Sequence, residues 1–254
     1  MRISVNIPSY KRTTIKTLSF APMAKVWVDE SEYDDYKKEN PQANIVSVKK
    51  GIQGNVARIR NHILDTEFAN GYDAVCLLDD DIREMTHFYT SDSSAYGYEK
   101  YVIGEHQFIQ WLEENTMVCI EWGYKLWGVN LSDDKRVYHH TTPFNTTQVI
   151  LGPFGVHLPN KIRYDEKLPL KEDYDLALQH LAKYHGILRF NGYNYICEQS
   201  TNRGGCANMR NQKKEKEQFD LLRKKWGSQI VRSDKSSKKG FDYNPIIRVP
   251  IGGI

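Results

Sequence analysis

Short apolar runs and stretches of helical periodicity alternate along the chain. Ile3, Val5 and Ile7 alternate with Ser4 and Asn6, the two-residue period of a half-buried strand. Val26-Trp27-Val28 is a second short run, and Ala74-Val75-Cys76-Leu77-Leu78 is a third whose unbroken apolar character predicts a buried strand. Between the last two, Gly54 and Asn55 open a predicted helix. Val56, Ile59 and Ile63 mark its apolar face, and Phe68-Ala69-Asn70-Gly71 stops it. Further on, Phe108, Trp111 and Leu112 suit one face of a short helix, Trp122 to Val129 reads as a strand, and Tyr174, Ala177, Leu178, Leu181 and Ala182 return to helical spacing. The polar stretch from Tyr89 to Lys100 reads as a connection, either an ordinary surface loop or a mobile cover.

At 254 residues the chain is long enough for one large α/β domain with its own core. No segment approaches the apolar length that spans a bilayer. Met1-Arg2 runs directly into the first strand, so no signal peptide and a cytoplasmic protein are expected, without membrane partners. The four cysteines, Cys76, Cys119, Cys197 and Cys206, lack metal-ligand spacing and read as reduced thiols. Charge is uneven: residues 212–254 carry eleven basic and five acidic side chains, or +6, which leaves −3 for the rest of a chain whose total is +3. Lys224, Lys225, Lys238 and Lys239 belong to this excess. It suits a phosphate backbone, and it equally suits a solvated helix that docks Phe219, Leu222 and Trp226.

The predicted strand at 74–78 ends in Asp79-Asp80-Asp81. Three adjacent carboxylates repel one another, so they belong either in a solvated turn or beside a divalent cation. Pro8-Ser9-Tyr10-Lys11-Arg12 follows the first strand at its carboxyl end, where open α/β sheets bind ligands, and Asp29 closes the second. Glu172 and Asp173 fall in the first turn of the 174–182 helix. There they complement the helix dipole or supply a general base. Tyr138, His139, His140 and Phe144 lie in a run rich in polar and aromatic groups, either surface or acceptor-binding. The glycines of Thr201-Asn202-Arg203-Gly204-Gly205 permit close backbone approach to a phosphate or sugar.

Taken in order, the glycine turn, the helix with Ala57, Arg60 and Asn61, the strand ending in Asp79-Asp80-Asp81 and the Glu172-Asp173 pair resemble the GT-A glycosyltransferases, above all the family-2-like enzymes. The likeness covers roughly residues 1 to 196. With the Gly-Gly segment and basic tail, the chain is similar to the small phage-type glycosyltransferases that decorate hydroxymethylated pyrimidines in DNA. This resemblance implies a Rossmann-like, mixed, mostly parallel sheet flanked by helices, over residues 1–211, with residues 212–254 as a basic extension. A nucleoside diphosphate sugar, UDP by preference, is implied as donor, placed by Pro8, Ser9, Tyr10, Arg12, Asp29, Gly54, Arg60, Asn61, Asp79, Asp80 and Arg203. Mg²⁺ or Mn²⁺ is implied at Asp81 and Asp79, and an inverting reaction with Asp173, beside Glu172, as base. The implied acceptor is DNA, met by Tyr138, His140, Phe144 and the four tail lysines. In such a phage-type enzyme the compartment is the host cytoplasm. Many relatives place a histidine ligand late in the chain, whereas here no histidine follows His185. Glu198 and Asn202 are the substitutes considered. A different acceptor, a nucleotidyltransferase and a non-catalytic nucleic-acid module remain open alternatives.

Overall fold

The computed structural model describes residues 1–131, 133–197, 211–233 and 243–249. Twelve strands and five α-helices follow one another in these residues. The strands are β1 (Ile3–Pro8), β2 (Lys25–Asp29), β3 (Asn44–Val48), β4 (Ala74–Leu78), β5 (Ile82–Thr90), β6 (Tyr98–Val102), β7 (Leu126–Asn130), β8 (Phe144–Asn145), β9 (Phe154–His157), β10 (Leu188–Cys197), β11 (Val231–Ser233) and β12 (Pro245–Ile247). The helices are α1 (Tyr33–Glu39), α2 (Val56–Ala69), α3 (Glu105–Glu121), α4 (Glu172–Tyr184) and α5 (Gln212–Trp226).

A ten-stranded mixed sheet runs β3-β2-β1-β4-β9-β7-β10-β5-β6, with β8 added to β10. The expected fold class, a mixed α/β sheet with flanking helices, is the one observed. β3, β2, β1 and β4 are mutually parallel, and β7 pairs parallel with β10. Antiparallel β9 joins the two groups. All five residues of β4 are buried, which explains its continuous apolar run. Its side chains alternate between two cores: Ala74, Cys76 and Leu78 meet Tyr36 of α1 and Phe108 and Leu112 of α3, while Val75 and Leu77 share the opposite core with α2, α4 and α5.

Helix boundaries follow local chemistry. Gly54 adopts φ +86°, a conformation costly for other residues, and the Asn55 side chain then accepts hydrogen bonds from the N–H groups of Ala57 and Arg58 to start α2. Gly71 at φ +78° ends it. At the start of α5, Asn211 accepts from Lys214 N. Phe219 and Leu222 of that helix are buried with Leu176, Ala177 and Leu178 of α4. Trp226 Nε1 donates to Asp175 Oδ1 at 2.7 Å, and Lys225 Nζ pairs with the same carboxylate at 2.9 Å. Thus the first half of the basic extension is bolted to the helix that begins with Glu172 and Asp173.

Two sequence readings change. Trp122 closes α3, which is longer than expected, and the following strand begins only at Leu126; packing of Phe108, Trp111, Leu112 and Cys119 carries the helix through a stretch of mixed propensity. Residues 89–100 hold the ends of the β5–β6 hairpin, leaving a turn from 91 to 97 rather than a long loop. Among the described residues no helix is long and apolar enough to cross a membrane.

Because β1, β4 and β7 point the same way and β9 runs against them, the ends Pro8, Leu78 and Asn130 share one rim with the start of β9. The first loop, the acidic triplet and the segment before Phe154 converge there.

Candidate functional site

Asp79, Asp80 and Asp81 face three different surroundings. Asp80 turns inward: its Oδ2 accepts from Ser9 Oγ at 2.6 Å, and its Oδ1 pairs with Arg12 Nη1 at 2.7 Å. Burial pushes its pKa up to about 7 against those two bonds. Asp81 is more open, with Oδ2 at 3.3 Å from the same Arg12 nitrogen. Burial and the charge of Asp79 raise its pKa. Ser9 Oγ and the Arg12 backbone N–H also meet Tyr36 Oη, and Gln53 Nε2 donates to the carbonyls of Ser9 and Trp27. Ser9, Arg12 and Asp80 therefore lock the first loop to the triplet. In that loop Tyr10 is partly exposed and Lys11 holds φ +57°, a strained value for a residue with a Cβ.

Arg60 connects the triplet to α4. This guanidinium is 4% exposed, and donates through Nη2 to Asp79 Oδ1 at 2.7 Å and through Nη1 to Glu172 Oε1 at 3.1 Å. Its Cζ lies 5.6 Å from the centre of the Tyr164 ring. Burial opposes its charge, but Asp79, Tyr164 and Glu172 outweigh that and raise its pKa. A second link runs through Gly152-Pro153: Gly152 N donates to Asp173 Oδ2 at 2.9 Å, and Pro153 O accepts from Asp79 N at 2.9 Å. Gly152 sits at φ +66°. The acidic triplet and the Glu172-Asp173 pair, 93 positions apart, thus meet in one site.

Glu172 is buried, and burial followed by the neighbouring Asp173 raises its pKa, with Arg60 opposing. Asp173 keeps part of its surface open. Burial raises its pKa too, while the N–H groups of Gly152 and Tyr174 hold its two oxygens and oppose the rise. Asp79 Oδ2 has no hydrogen-bond partner among the described residues. With Asp81 it offers a hard, oxygen-only donor pair, which suits Mg²⁺ or Mn²⁺ if a ligand's oxygens complete the shell. No group of three candidate ligands occurs among the described residues.

The remaining expected residues are placed as follows. Pro8 ends β1 and Gly54 opens α2. Asp29 is buried; its Oδ1 accepts from Ser31 N and Oγ, and those bonds hold its pKa below the usual range. Asn61 exchanges hydrogen bonds with the backbone of Tyr164, so it fixes the chain beside Arg60. Tyr138, considered as an aromatic platform for a base, is 8% exposed, with one face stacked on Phe88 at 5.0 Å and Tyr98 set edge-on to it. His140 Nδ1 is bonded to Tyr98 Oη, and Phe144, though exposed, lies edge-on to Trp122 and Phe190. Lys224 is exposed, whereas Lys225 is committed to Asp165 and Asp175. Arg203, Glu198, Asn202, Cys206, Lys238 and Lys239 lie outside the described residues.

Tyr195 was not singled out in the sequence. It is buried on β10, its hydroxyl stands 3.5 Å from where a Cβ on Gly152 would be, and its pKa is raised by burial and then by charges including Asp79, Asp173 and Asp81. One tyrosine in an alternating strand carries no signal for this.

Comparison with known proteins adds a family. The TET-Associated Glycosyltransferase profile matches residues 5–205. Among curated proteins, none matches. Of solved structures, residues 1–349 of TarS from S. aureus are similar at 14% identity and TM-score 0.47, over 76% of this chain and 60% of that one. The same fragment in complex with UDP gives 14% identity and TM-score 0.45 over the same shares. A197 from STIV gives 12% identity and TM-score 0.44 over 83% of this chain and 92% of that one. The chain spans less than two-thirds of the TarS fragment's length.

Proposed function

The chain belongs to the TET-associated glycosyltransferase family, and from that premise we propose that it moves a sugar from a UDP-sugar to the hydroxyl of a hydroxymethylated pyrimidine in DNA, with inversion and with divalent metal. The observation that carries this reading is the Arg60 bridge, which brings Asp79 and the Glu172-Asp173 helix into one site. A nucleotidyltransferase would leave that helix start without a task.

In this reading the donor lies along the rim formed by the ends of β1 and β4. The strained loop after Pro8 and the carboxylate of Asp29 receive the nucleoside, and Arg60 supplies a fixed positive charge beside the diphosphate. Asp81 and Asp79 would hold the Mg²⁺ or Mn²⁺ ion. Once bound, such an ion neutralises charge growing on the leaving diphosphate. Asp173 takes the proton of the acceptor hydroxyl. The hydroxyl oxygen then forms a bond to the anomeric carbon while the bond from that carbon to the diphosphate oxygen breaks, its electron pair leaving with UDP. A carboxylate with a raised pKa is better poised for this at neutral pH than an exposed one. Glu172, buried against Arg60, acts by holding that guanidinium and the helix start in register. A base inside a duplex must leave the stack to reach Asp173.

The test is mass spectrometry of nucleosides from hydroxymethylated DNA incubated with a panel of UDP-sugars. A hexose or pentose adduct is expected with the wild type, and Asp81→Asn or excess chelator should reduce it by about 100-fold or more while the fold persists. Undiminished transfer by Asp81→Asn in chelator defeats the metal assignment. Transfer only to a non-nucleic acceptor defeats the DNA assignment.

A further inference from the structure

Beyond the acidic site, a cavity of about 370 Å³ opens at the same rim between the end of β7 and the start of β10. Asn130, Tyr138, His139, Asn145, Arg189 and Asn191 contribute to its wall, which contains no carboxylate among the described residues. Its polar groups are not interchangeable. The side-chain oxygen of Asn130 accepts from Leu131 N, that of Asn145 from Thr147 N and Gln148 N, and that of Asn191 from Arg189 Nε at 2.9 Å. These bonds fix the amide orientations. Asn191 Nδ2 is used by the Thr142 carbonyl, whereas the NH₂ groups of Asn130 and Asn145 have no acceptor among the described residues.

Arg189 is the second observation. Its guanidinium is partly buried and forms no ion pair among the described residues, so none of them compensates its charge by direct contact. Burial lowers its pKa, and among the described residues Tyr195 opposes that while no carboxylate does. What the wall offers is therefore a set of donors around one cation. A ligand that satisfies them is rich in acceptors and negatively charged. Tyr195, six positions along β10 from Arg189, has its pKa raised by burial and then by charges including Asp79, Asp173 and Asp81. With β9 alone separating β4 from β7, the two sites are on the order of 10 Å apart.

We infer that this cavity is a phosphate subsite in which Arg189, Asn130 and Asn145 grip a phosphate group of the acceptor next to the nucleotide being modified. The subsite rests on the proposed DNA acceptor for the source of the phosphate; the donor set around Arg189 does not depend on it. It moves the principal backbone contact from the basic tail to the rim of the sheet. Arginine's planar fork suits a phosphate's oxygens, and the two amides add neutral donors at fixed angles.

Two variants test it. Arg189→Gln removes the charge, and Asn130→Asp keeps the oxygen that accepts from Leu131 while placing a carboxylate in the wall. Fluorescence anisotropy with a short labelled single-stranded oligonucleotide, ³¹P line broadening with inorganic phosphate, and UDP release from a UDP-sugar without DNA are measured on each, after thermal melting shows that it is folded. Both variants should bind the oligonucleotide about ten-fold or more weakly, with Arg189→Lys intermediate, and should release UDP at the wild-type rate. Weakened phosphate binding with unchanged oligonucleotide binding would keep an anion site but overturn the acceptor backbone as its occupant. Unchanged affinity for both probes in folded Arg189→Gln and Asn130→Asp overturns the subsite altogether. UDP release reports on the glycosyltransferase reading separately, since neither residue belongs to the donor site.

Discussion

Replacing Arg60 by Met tests the bridge that unites the two halves of the site. The side chain is 4% exposed and its partner Glu172 only 11%, so removing the guanidinium strands a carboxylate in a poorly solvated place. Breaking such a buried pair from one side costs about 3–5 kcal/mol, a large fraction of the roughly 5–15 kcal/mol that holds a domain folded. The bond to Asp79 adds less, because that carboxylate is 36% exposed and water screens it. Glu172 has an escape: it can take a proton. Its pKa is already raised by burial and by Asp173, and Arg60 is the charge that restrains it. In Arg60→Met the folded-state value must climb further. A carboxyl whose pKa is higher in the folded than in the unfolded state makes the protein more stable at acid pH, and that contribution fades as pH rises from the unfolded value near 4.3 through the folded one. Urea unfolding at pH 5 and pH 8 is the assay. The variant should lose little at pH 5 and most of the 3–5 kcal/mol at pH 8, and Arg60→Met/Glu172→Gln should recover much of the stability but none of the transfer activity. A loss below about 1 kcal/mol at pH 8, or one equal at both pH values, would reduce Arg60 to a surface-type ion pair and remove the physical basis for a joined site.

Three further outcomes follow from the same geometry. Asp173→Asn keeps the shape but cannot accept the proton, so single-turnover transfer should fall by roughly 100-fold or more with UDP-sugar affinity nearly unchanged; a matching loss of affinity would make the residue structural. Asp175→Asn weakens a fully buried carboxylate that holds Lys225 and Trp226, so it should lower stability by about 2–4 kcal/mol and expose α5 to protease, visible by limited digestion. His180 is buried with its pKa pushed down to about 4, so the unfolded chain takes up a proton near pH 6.5 that the folded chain refuses; stability should decline by about 3 kcal/mol as pH falls from about 6.5 to about 4, and His180→Leu should flatten that limb in urea titrations.

The parts of this fold that a sequence displays are those whose physics is local or periodic. β4 reads as a buried strand because all five of its residues are apolar, and α2 is bounded by groups whose capping role is intrinsic: Asn55 before it and Gly71 after it. The middle of the chain obscures itself. Trp122, Tyr124 and Trp127 have strand-like side chains, yet the first closes α3 because Phe108, Trp111 and Cys119 pack that helix into the core.

The site divides along the same line. The triplet and the Glu172-Asp173 pair are visible as local clusters of charge, but the allocation of tasks among them depends on partners far away in sequence. Asp80 is turned inward by Ser9 and Arg12, 68 or more positions upstream, and Asp79 outward to Arg60; nothing in a run of three identical residues distinguishes them. The same holds for the cations. Lys225 belongs to a conspicuous basic stretch but is neutralised by Asp165 and Asp175, whereas Arg189, between Leu188 and Phe190 in an apolar strand, has no ion-pair partner among the described residues and stands beside a cavity. Net charge along a segment therefore overstates Lys225 and passes over Arg189. Counting cations locates a basic region, but whether a cation is free to meet a phosphate depends on its folded neighbours, and that is a property of topology: β7 and β10 lie side by side, with Leu188 paired to Trp127 although 61 positions separate them in sequence.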